Sequence, residues 1–408
     1  MEKAQLNDAL YKLDEDVEFN KQGDKLYYEF DTDRLLYEEL VDFEEGKLEL
    51  GDVVLDREFI HVDKEDIRLC HTVLTHKTNA PKANIALFHG LSQNNDIFIE
   101  YAMQFVLNGY KVHTIDFRGY GWSTGVRGDA TIIEFQKDVA TVLSQVDPEL
   151  PLFIYAHSMG CMIVNSFLIN NPKLNISGVI LSAPLTGAPK NVHIDRFRLY
   201  LLSVVSSELP EFMANPRTDV GYVTKKAKIL KWYLTNSRVV PIMNSRQAHS
   251  LLTFMFHFKY NSKQFKYPIL IHIGSEDKIV NNEVTKSFYE NLGTEDKQMF
   301  EYEGAFHELQ YEDCKKEMLK NTLDWLDTKL SQPVIKKFGV FDVEKHAKFH
   351  MLKKGAPFKY WKQVIGLLIA FYYFVGYILM VSKFINANRH EMIAFWPCSI
   401  FRKFFGKK

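Results

Sequence analysis

Short apolar runs alternate with helix-like stretches along most of this 408-residue chain. Two segments rich in β-forming residues, 57–62 and 67–74, come first and are separated by a short polar break. Apolar runs predict further strands at 84–88, 111–117, 152–155, 176–181, 269–273 and 298–302. Helical spacing predicts helices at 98–108, 132–146, 162–169, 283–292 and 311–330. This alternation predicts an α/β fold, with a mostly parallel sheet flanked by helices.

The alternation stops at about residue 185 and resumes at Tyr267. Residues 186–262 lack the strand pattern and contain an apolar helical run at 197–205. We therefore predict a helical insertion that caps the carboxyl ends of the strands, where α/β sheets bind their ligands. Such lids exclude water and shape the substrate pocket.

A second apolar region follows the α/β pattern. Residues 364–381 are 18 consecutive residues without a charge or a proline. At about 1.5 Å per residue, a helix of this run would be about 27 Å long, enough to cross a bilayer core. We interpret it as a C-terminal transmembrane helix. The alternatives are a buried helix of a soluble protein and a hairpin that lies in one leaflet.

These patterns divide the chain into five parts. They are an acidic N-terminal extension (1–50), an α/β domain (51–331) with its cap at about 186–262, a basic linker (332–363), the candidate transmembrane helix (364–381) and a basic, aromatic tail (382–408). The tail is typical of an interfacial segment.

Composition narrows the class of protein. Hydrophobic residues make up 46% of the chain and charged residues 25%, which is ordinary for a globular protein. The net charge of −1 gives no case for nucleic-acid binding. The four cysteines are widely spaced, and no His/Cys cluster has the spacing of a zinc site. We expect free thiols in a reducing compartment, and neither metal nor cofactor. The oligomeric state stays open.

Charge is distributed unevenly. Residues 1–50 carry 16 acidic and 6 basic side chains, whereas 333–408 carry 3 acidic and 14 basic ones. Six Lys/Arg lie in 344–363, before the apolar run, against two in 382–401, after it. The positive-inside bias then keeps the α/β domain in the cytosol, and the N-terminus lacks the pattern of a secretory signal. We expect a membrane-associated protein, for instance on the endoplasmic reticulum or a lipid droplet.

Two serines compete as the nucleophile of a candidate active site. Residues 121–125 match G-x-S-x-G literally around Ser123, but no helix begins there. Ser158 lies between a predicted strand and a predicted helix, which is the context of a nucleophile elbow. Gly160 supplies the small residue that the turn needs after the serine, whereas Ala156 replaces the usual glycine before it. We predict Ser158 as the nucleophile and expect the Ala156 methyl group to tighten or strain the turn slightly.

A nucleophilic serine needs a base and a group that orients the base. His307 follows the last predicted strand and Asp277 follows the strand before it, in the order Ser, Asp, His expected for an α/β-hydrolase. Glu276 is the alternative to Asp277, although only one of two neighbours on a tight loop can face the histidine. Of the other histidines, we expect His272 to be a core or edge residue of its strand.

An oxyanion hole requires donors that are in place before reaction. The backbone N–H of Met159, directly after the nucleophile, is one candidate, and that of Leu91, in the loop after strand 84–88, is the other. The residues expected to support these loops are His89, Gly90, Ala156, His157 and Gly160.

Five segments together carry a family resemblance. NIALFHGL, DFRGYGWSTG, YAHSMG, HIGSEDKIV and YEGAFHEL resemble the successive motifs of the monoacylglycerol lipase and lysophospholipase branch of the α/β-hydrolases, a serine aminopeptidase S33-like family. The resemblance covers about residues 55–330. It implies an α/β-hydrolase fold, a Ser158–Asp277–His307 triad with Leu91 and Met159 at the oxyanion hole, and a cap that forms an acyl tunnel.

The predicted function is hydrolysis of the carboxylic ester of a single-chain lipid. Monoacylglycerol is the first substrate candidate, and a free fatty acid would leave through an acyl-enzyme intermediate. The alternatives are a lysophospholipase, another ester, thioester or peptide hydrolase with the same triad, and a non-catalytic lipid-binding scaffold. Expected partners are the lipid ester and a membrane, but no nucleic acid.

Overall fold

A central β-sheet organises the computed structural model, which describes residues 45–62, 64–188, 195–214, 220–332 and 336–343. The strands are β1 Gly46–Leu50, β2 Val53–His61, β3 Arg68–His76, β4 Ala83–Phe88, β5 Tyr110–Ile115, β6 Leu152–His157, β7 Gly178–Ser182, β8 Met213–Ala214, β9 Met243–Asn244, β10 Ile269–Gly274 and β11 Lys297–Tyr302. The helices are α1 Ile99–Leu107, α2 Ile132–Leu143, α3 Met159–Asn170, α4 Arg196–Glu208, α5 Ala227–Thr235, α6 Ser245–Asn261, α7 Asn282–Glu290 and α8 Lys315–Leu330.

Nine strands form the main sheet, in the order β1-β2-β3-β5-β4-β6-β7-β10-β11. The first three strands pair antiparallel, and β3 also pairs antiparallel with β5. From β5 to β11 every neighbouring pair is parallel. The carboxyl ends of these six strands therefore meet at one edge of the sheet, which is where α/β folds place their ligands.

Helices cover both faces of the parallel part, so its central strands are buried throughout. Alternate residues of β6 contribute to two separate core clusters. Ile154 belongs to one cluster and Phe153 and Tyr155 to the other. This double burial explains why β4 and β6 appear in the sequence as continuous apolar runs. The predicted parallel sheet flanked by helices is confirmed.

The sheet begins earlier than the predicted boundary at residue 51. Strand β1 pairs with β2 and lies inside the segment that we assigned to the acidic extension. Its Leu48 and Leu50 pack against the core, while Lys47 and Glu49 are exposed. Because charged residues alternate with the leucines, the sequence pattern did not lead us to predict this half-buried strand. Residues 1–44 of the predicted extension lie outside the described residues.

The described residues of the insertion between β7 and β10 are mostly helical, as predicted. Helices α4, α5 and α6 belong to it, and the short β8–β9 pair is an addition that the sequence pattern did not predict. The start of α6 lies against the glycine-rich loop after β5, because Asn244 N donates to Gly128 O (2.9 Å) and Arg246 Nε to Asp129 Oδ1 (2.6 Å).

A short segment after α8, residues 336–343, contacts the α/β domain. Phe338 N donates to Leu150 O (3.0 Å), and Phe341 packs against Phe167 of α3. This part of the predicted linker therefore lies on the domain. The predicted transmembrane helix (364–381) and the tail (382–408) lie outside the described residues. Among the residues that are described, no helix is long and apolar enough to cross a membrane.

Candidate active site

Ser158 occupies the sharp turn between β6 and α3. Its backbone has φ 51° and ψ −116°, a region that residues with side chains rarely adopt. The surrounding backbone holds this conformation: Ser158 N donates to Ser182 O (3.0 Å), and Ser158 O accepts from Leu185 N (3.1 Å). Strain maintained in this way is typical of a nucleophile elbow.

The small residues on either side of the serine differ in what they do. A Cβ on Gly160 would lie 2.6 Å from His89 O and 2.8 Å from Phe88 O, so α3 can approach the end of β4 only with glycine there. Ala156 lies within β6 and is not among the residues with positive φ. The strain that we expected from its methyl group is therefore absent from its backbone conformation.

His307 and Asp277 come together from the loops after β11 and β10. His307 Nδ1 lies 2.7 Å from Asp277 Oδ2, and both side chains are buried. The other carboxylate oxygen accepts from Ile279 N (2.8 Å) and Val280 N (3.1 Å), which fixes the acid. Glu276, the alternative acid, is half-exposed and instead pairs with Lys225 (3.3 Å).

The electrostatics of this pair suit a general base. Burial lowers the pKa of His307, but the charge and hydrogen bond of Asp277, with a contribution from Glu308, outweigh it and leave the pKa raised above 6.5. Because Nδ1–H donates to the carboxylate, Nε2 is the nitrogen that remains to accept a proton.

The serine, the histidine and the loop after β4 converge. The ring of His157, next to Ser158 in sequence, lies 4.8 Å from the ring of His307. A Cβ on Gly90 would lie 2.9 Å from Ser158 Cβ. Among the described residues, the Ser158 hydroxyl makes no hydrogen bond. Catalytic hydrogen bonds often tighten only when substrate binds.

The two predicted oxyanion donors lie beside the serine. Within the part of the chain that the structure describes, the backbone N–H groups of Leu91 and Met159 have no acceptor. The loop that carries Leu91 is held at Gly90, whose N–H donates to Gln93 Oε1 (2.6 Å) and whose carbonyl accepts from His89 Nδ1 (2.7 Å). Donors fixed in this way can stabilise an oxyanion without reorganising.

Two other buried histidines, His89 and His272, make hydrogen bonds that stabilise the fold. His89 Nε2 accepts from Phe117 N (2.9 Å), and burial lowers the pKa of His89 to about 4. His272 lies between the hydroxyls of Tyr302 and Thr322, and burial lowers its pKa to about 3. Both rings are therefore neutral near pH 7, and their nitrogens are already hydrogen-bonded.

Ser123, the serine of the literal motif, is buried and fully hydrogen-bonded. Its Oγ donates to Asp116 O (2.5 Å) and accepts from Cys70 N (2.8 Å). One bond joins Ser123 to β3 and the other joins it to the residue after β5, so the hydroxyl makes structural hydrogen bonds.

The sequence prediction missed a buried carboxylate beside the base. Glu308 directly follows His307, and His157 Nε2 donates to its Oε1 (3.1 Å). His157, His307 and Glu308 are also the one group of metal-ligand type among the described residues, with ligand atoms within 4.8 Å. His307 Nδ1 and His157 Nε2 already bond to carboxylates, which favours a hydrogen-bonded arrangement over a metal centre.

Comparisons with known proteins identify the family of the chain and support its fold. The model of the serine aminopeptidase S33 family matches residues 79–314. An uncharacterized abhydrolase domain-containing protein of Dictyostelium discoideum is 24% identical over 61% of this chain and 27% of its own length. A putative monoglyceride lipase of Schizosaccharomyces pombe is 27% identical, over 57% of this chain and 63% of its own. A phospholipase of Bacillus subtilis, YtpA, is 24% identical, over 60% and 95%.

The first two relatives are thus matched over less than two thirds of their own length. Among solved structures, a soluble variant of monoglyceride lipase from Saccharomyces cerevisiae, in complex with a substrate analogue, has a TM-score of 0.59. It is 20% identical, and the match covers 67% of this chain and 96% of that one. At this identity the likeness shows the fold.

Proposed function

Because the chain belongs to the serine aminopeptidase S33 family, as a monoglyceride-lipase-like α/β-hydrolase, we propose that it hydrolyses the carboxylic ester of a single-chain lipid, with monoacylglycerol as substrate. The observation that carries the proposal is the convergence of three groups at one end of the sheet: Ser158, the His307–Asp277 pair, and two backbone N–H groups that have no acceptor among the described residues.

The proposed reaction uses groups of this chain and water. His307 Nε2 takes the proton of Ser158 as Oγ attacks the ester carbonyl, and Asp277 stabilises the imidazolium that forms. The N–H groups of Leu91 and Met159 bind the oxyanion. His307 then protonates the leaving alcohol, which produces an acyl-enzyme. Water, activated by the same histidine, releases the fatty acid and regenerates the serine.

The lipid character of the substrate is supported by the cap and by the relatives. The described part of the cap exposes large apolar side chains, at Phe197, Leu209 and Phe212 among others. Exposed apolar groups of this size suit contact with lipid better than with water. One of the relatives is named as a putative monoglyceride lipase, and the bacterial phospholipase supports lysophospholipid as a second candidate.

A substrate panel tests the proposal. Purified protein would be assayed with a monoacylglycerol, a lysophospholipid, an acyl-thioester and an aminoacyl peptide at equal concentrations, and labelled with a fluorophosphonate. We expect the highest kcat/KM on the monoacylglycerol. A preference for the thioester or the peptide would contradict the substrate class. Failure to label and to hydrolyse any of the four would favour the non-catalytic alternative.

We also propose that residues 364–381 attach the protein to a membrane, with the α/β domain in the cytosol. The support is the uncharged run of 18 residues and the excess of basic residues before it. Deletion of residues 362–408 should move active enzyme into the soluble fraction. Carbonate-resistant membrane association of the deleted protein would contradict this proposal and leave the hydrolase assignment intact.

A further inference from the structure

A buried hydrogen-bond network surrounds Glu308, the residue after the candidate base. The Glu308 side chain is fully buried, and its Oε1 accepts from Gln93 Nε2 (2.6 Å), Tyr233 OH (2.8 Å) and His157 Nε2 (3.1 Å). Its Oε2 accepts from Gln310 Nε2 (2.6 Å). Four donors from four segments of the chain thus converge on one carboxylate.

These donors come from the parts that must be aligned for catalysis. Gln93 uses its other amide atom, Oε1, to accept from Gly90 N (2.6 Å) and so holds the loop of Leu91. His157 directly precedes Ser158 at the end of β6. Tyr233 lies on α5 and brings the cap into the same network, where its hydroxyl also accepts from Gln93 Nε2 (2.6 Å).

The carboxylate is held in its charged form. Burial raises the pKa of Glu308, but the nearby His157, together with His307 and the Tyr233 hydroxyl, outweighs burial and leaves the pKa below its usual value. An ionised group in the interior gives little net stability compared with well-packed apolar residues. Stability alone therefore gives a weak reason for a charged residue at this position.

We propose that Glu308 is a positioning residue for ester hydrolysis. Through Gln93 it fixes the Gly90 backbone, so that Leu91 N–H points to the place where the oxyanion forms. Through Tyr233, Glu308 also makes the position of the Leu91 N–H group depend on how α5 of the cap packs against this loop. This inference rests on the proposed function, because it assigns a role within that reaction.

The first test is Glu308→Gln, which keeps the shape and removes the charge. We expect kcat to fall about 10- to 100-fold, since a misplacement of about 1 Å in a catalytic group has an effect of this size. KM should change by less than about 3-fold, because ground-state binding does not use the oxyanion hole. The acid limb of kcat/KM should also move to lower pH, since the Glu308 charge helps to raise the pKa of His307.

Glu312→Gln is the matched control. Glu312 is another buried carboxylate of the same loop, and it accepts from Thr224 Oγ1 (2.6 Å) and Lys225 N (2.9 Å) of the cap. The control removes the same charge from a cap contact without touching Gln93 or Gly90. We expect a lower melting temperature, a kcat within about 3-fold of wild type and an unmoved acid limb, as for a structural contact that does not reach the reacting atoms.

A reciprocal exchange supplies the rescue. Gln93→Glu should lower kcat, because two carboxylates would then face each other. In the double variant Q93E/E308Q, the new carboxylate can still accept from Gly90 N while the new amide donates to it. We expect the double variant to exceed both single variants in kcat by about 10-fold, in line with strong coupling between hydrogen-bonded partners.

The inference would be overturned if folded Glu308→Gln kept the wild-type kcat. It would also be overturned if the kcat of the double variant did not exceed that of the less active single variant. If Glu308→Gln does not fold, Gln93→Ala tests the same inference. It removes the hydrogen bond to Gly90 N and leaves the Glu308 carboxylate with three donors. Unchanged kcat in folded Gln93→Ala would overturn the inference. A wild-type protein inactive on every ester would instead overturn the proposed function, so the two failures are distinct.

Discussion

Two serines lie on turns that follow strands of the same sheet, and they differ in backbone conformation, in the element that follows and in the hydrogen bonding of the hydroxyl. Ser158 has φ 51°, is the N-cap of α3 and makes no side-chain hydrogen bond within the described residues. Ser123 makes two hydrogen bonds and is followed by a loop. Only Ser123 lies in a literal G-x-S-x-G sequence. If Ser158 is the nucleophile, as we propose, the geometry of the turn and the hydrogen bonding of the hydroxyl identify it better than the literal motif does.

The glycines of the two turns are present for different physical reasons. A Cβ on Gly121 would lie 2.0 Å from Asp116 Oδ2, so this glycine lets the loop close around a buried carboxylate. Gly160 instead lets a helix approach the carbonyl groups at the end of β4. The same residue type serves loop closure in one turn and strand–helix packing in the other.

Substitution of each serine by alanine gives the largest expected difference in kcat. Ser158→Ala should lower kcat by about 10⁶-fold, the size of effect seen when a nucleophilic serine is removed. Ser123→Ala should retain kcat within a few-fold, but it leaves Cys70 N–H and Asp116 C=O without their partner, which should lower the free energy of unfolding by about 1–3 kcal/mol. Ester turnover and denaturant unfolding of both variants measure the two effects.

Fluorophosphonate labelling adds an independent readout. Folded Ser158→Ala should not be labelled, whereas Ser123→Ala should be labelled at the wild-type rate. Labelling of folded Ser158→Ala would remove Ser158 from the nucleophile role and reverse the comparison of the two turns.

Asp277 and Glu276 are neighbours in sequence and are also expected to differ in their effect on kcat. Asp277→Asn should lower kcat by about 10⁴-fold, because the amide would donate to His307 Nδ1 and impose the wrong tautomer. Glu276 pairs with Lys225 near the surface, so Glu276→Gln should change kcat by less than about 2-fold and stability by less than about 1 kcal/mol. Equal losses in the two variants would show that the identity of the acid is wrong.

The pH dependence gives a smaller effect with a definite sign. His307 must be neutral to accept the serine proton, and its pKa is raised above 6.5. The kcat/KM of wild type should therefore fall as the pH decreases through a midpoint above 6.5. Glu276→Gln should leave this midpoint in place, whereas NMR titration of His307 in Asp277→Asn should show a lower pKa. A wild-type midpoint below 6.5 would contradict the raised pKa of His307.

Much of the candidate site could be predicted from the sequence, because each of its residues follows a strand that a short stretch of sequence indicates. Buried parallel strands such as β6 and β10 appear as continuous apolar runs, and Ser158 and Asp277 lie directly after β6 and in the loop after β10. His307 lies in the loop after β11, a half-exposed strand. The Glu308 network was missed because three of its four partners are distant in sequence: Gln93 lies 215 residues away, His157 151 and Tyr233 75. No local pattern marks contacts of that separation.

Ala156→Gly should have the smallest effect. Ala156 has no positive φ and packs in the core, so glycine relieves no strain there. The change removes a buried methyl group, worth about 0.8 kcal/mol, and adds about 0.5–1 kcal/mol of backbone entropy loss. We expect the free energy of unfolding to fall by about 1–2 kcal/mol and kcat to stay within about 2-fold. If turnover instead rose by about 10-fold, equivalent to about 1.4 kcal/mol in the activation barrier, the methyl group would prove to strain the elbow.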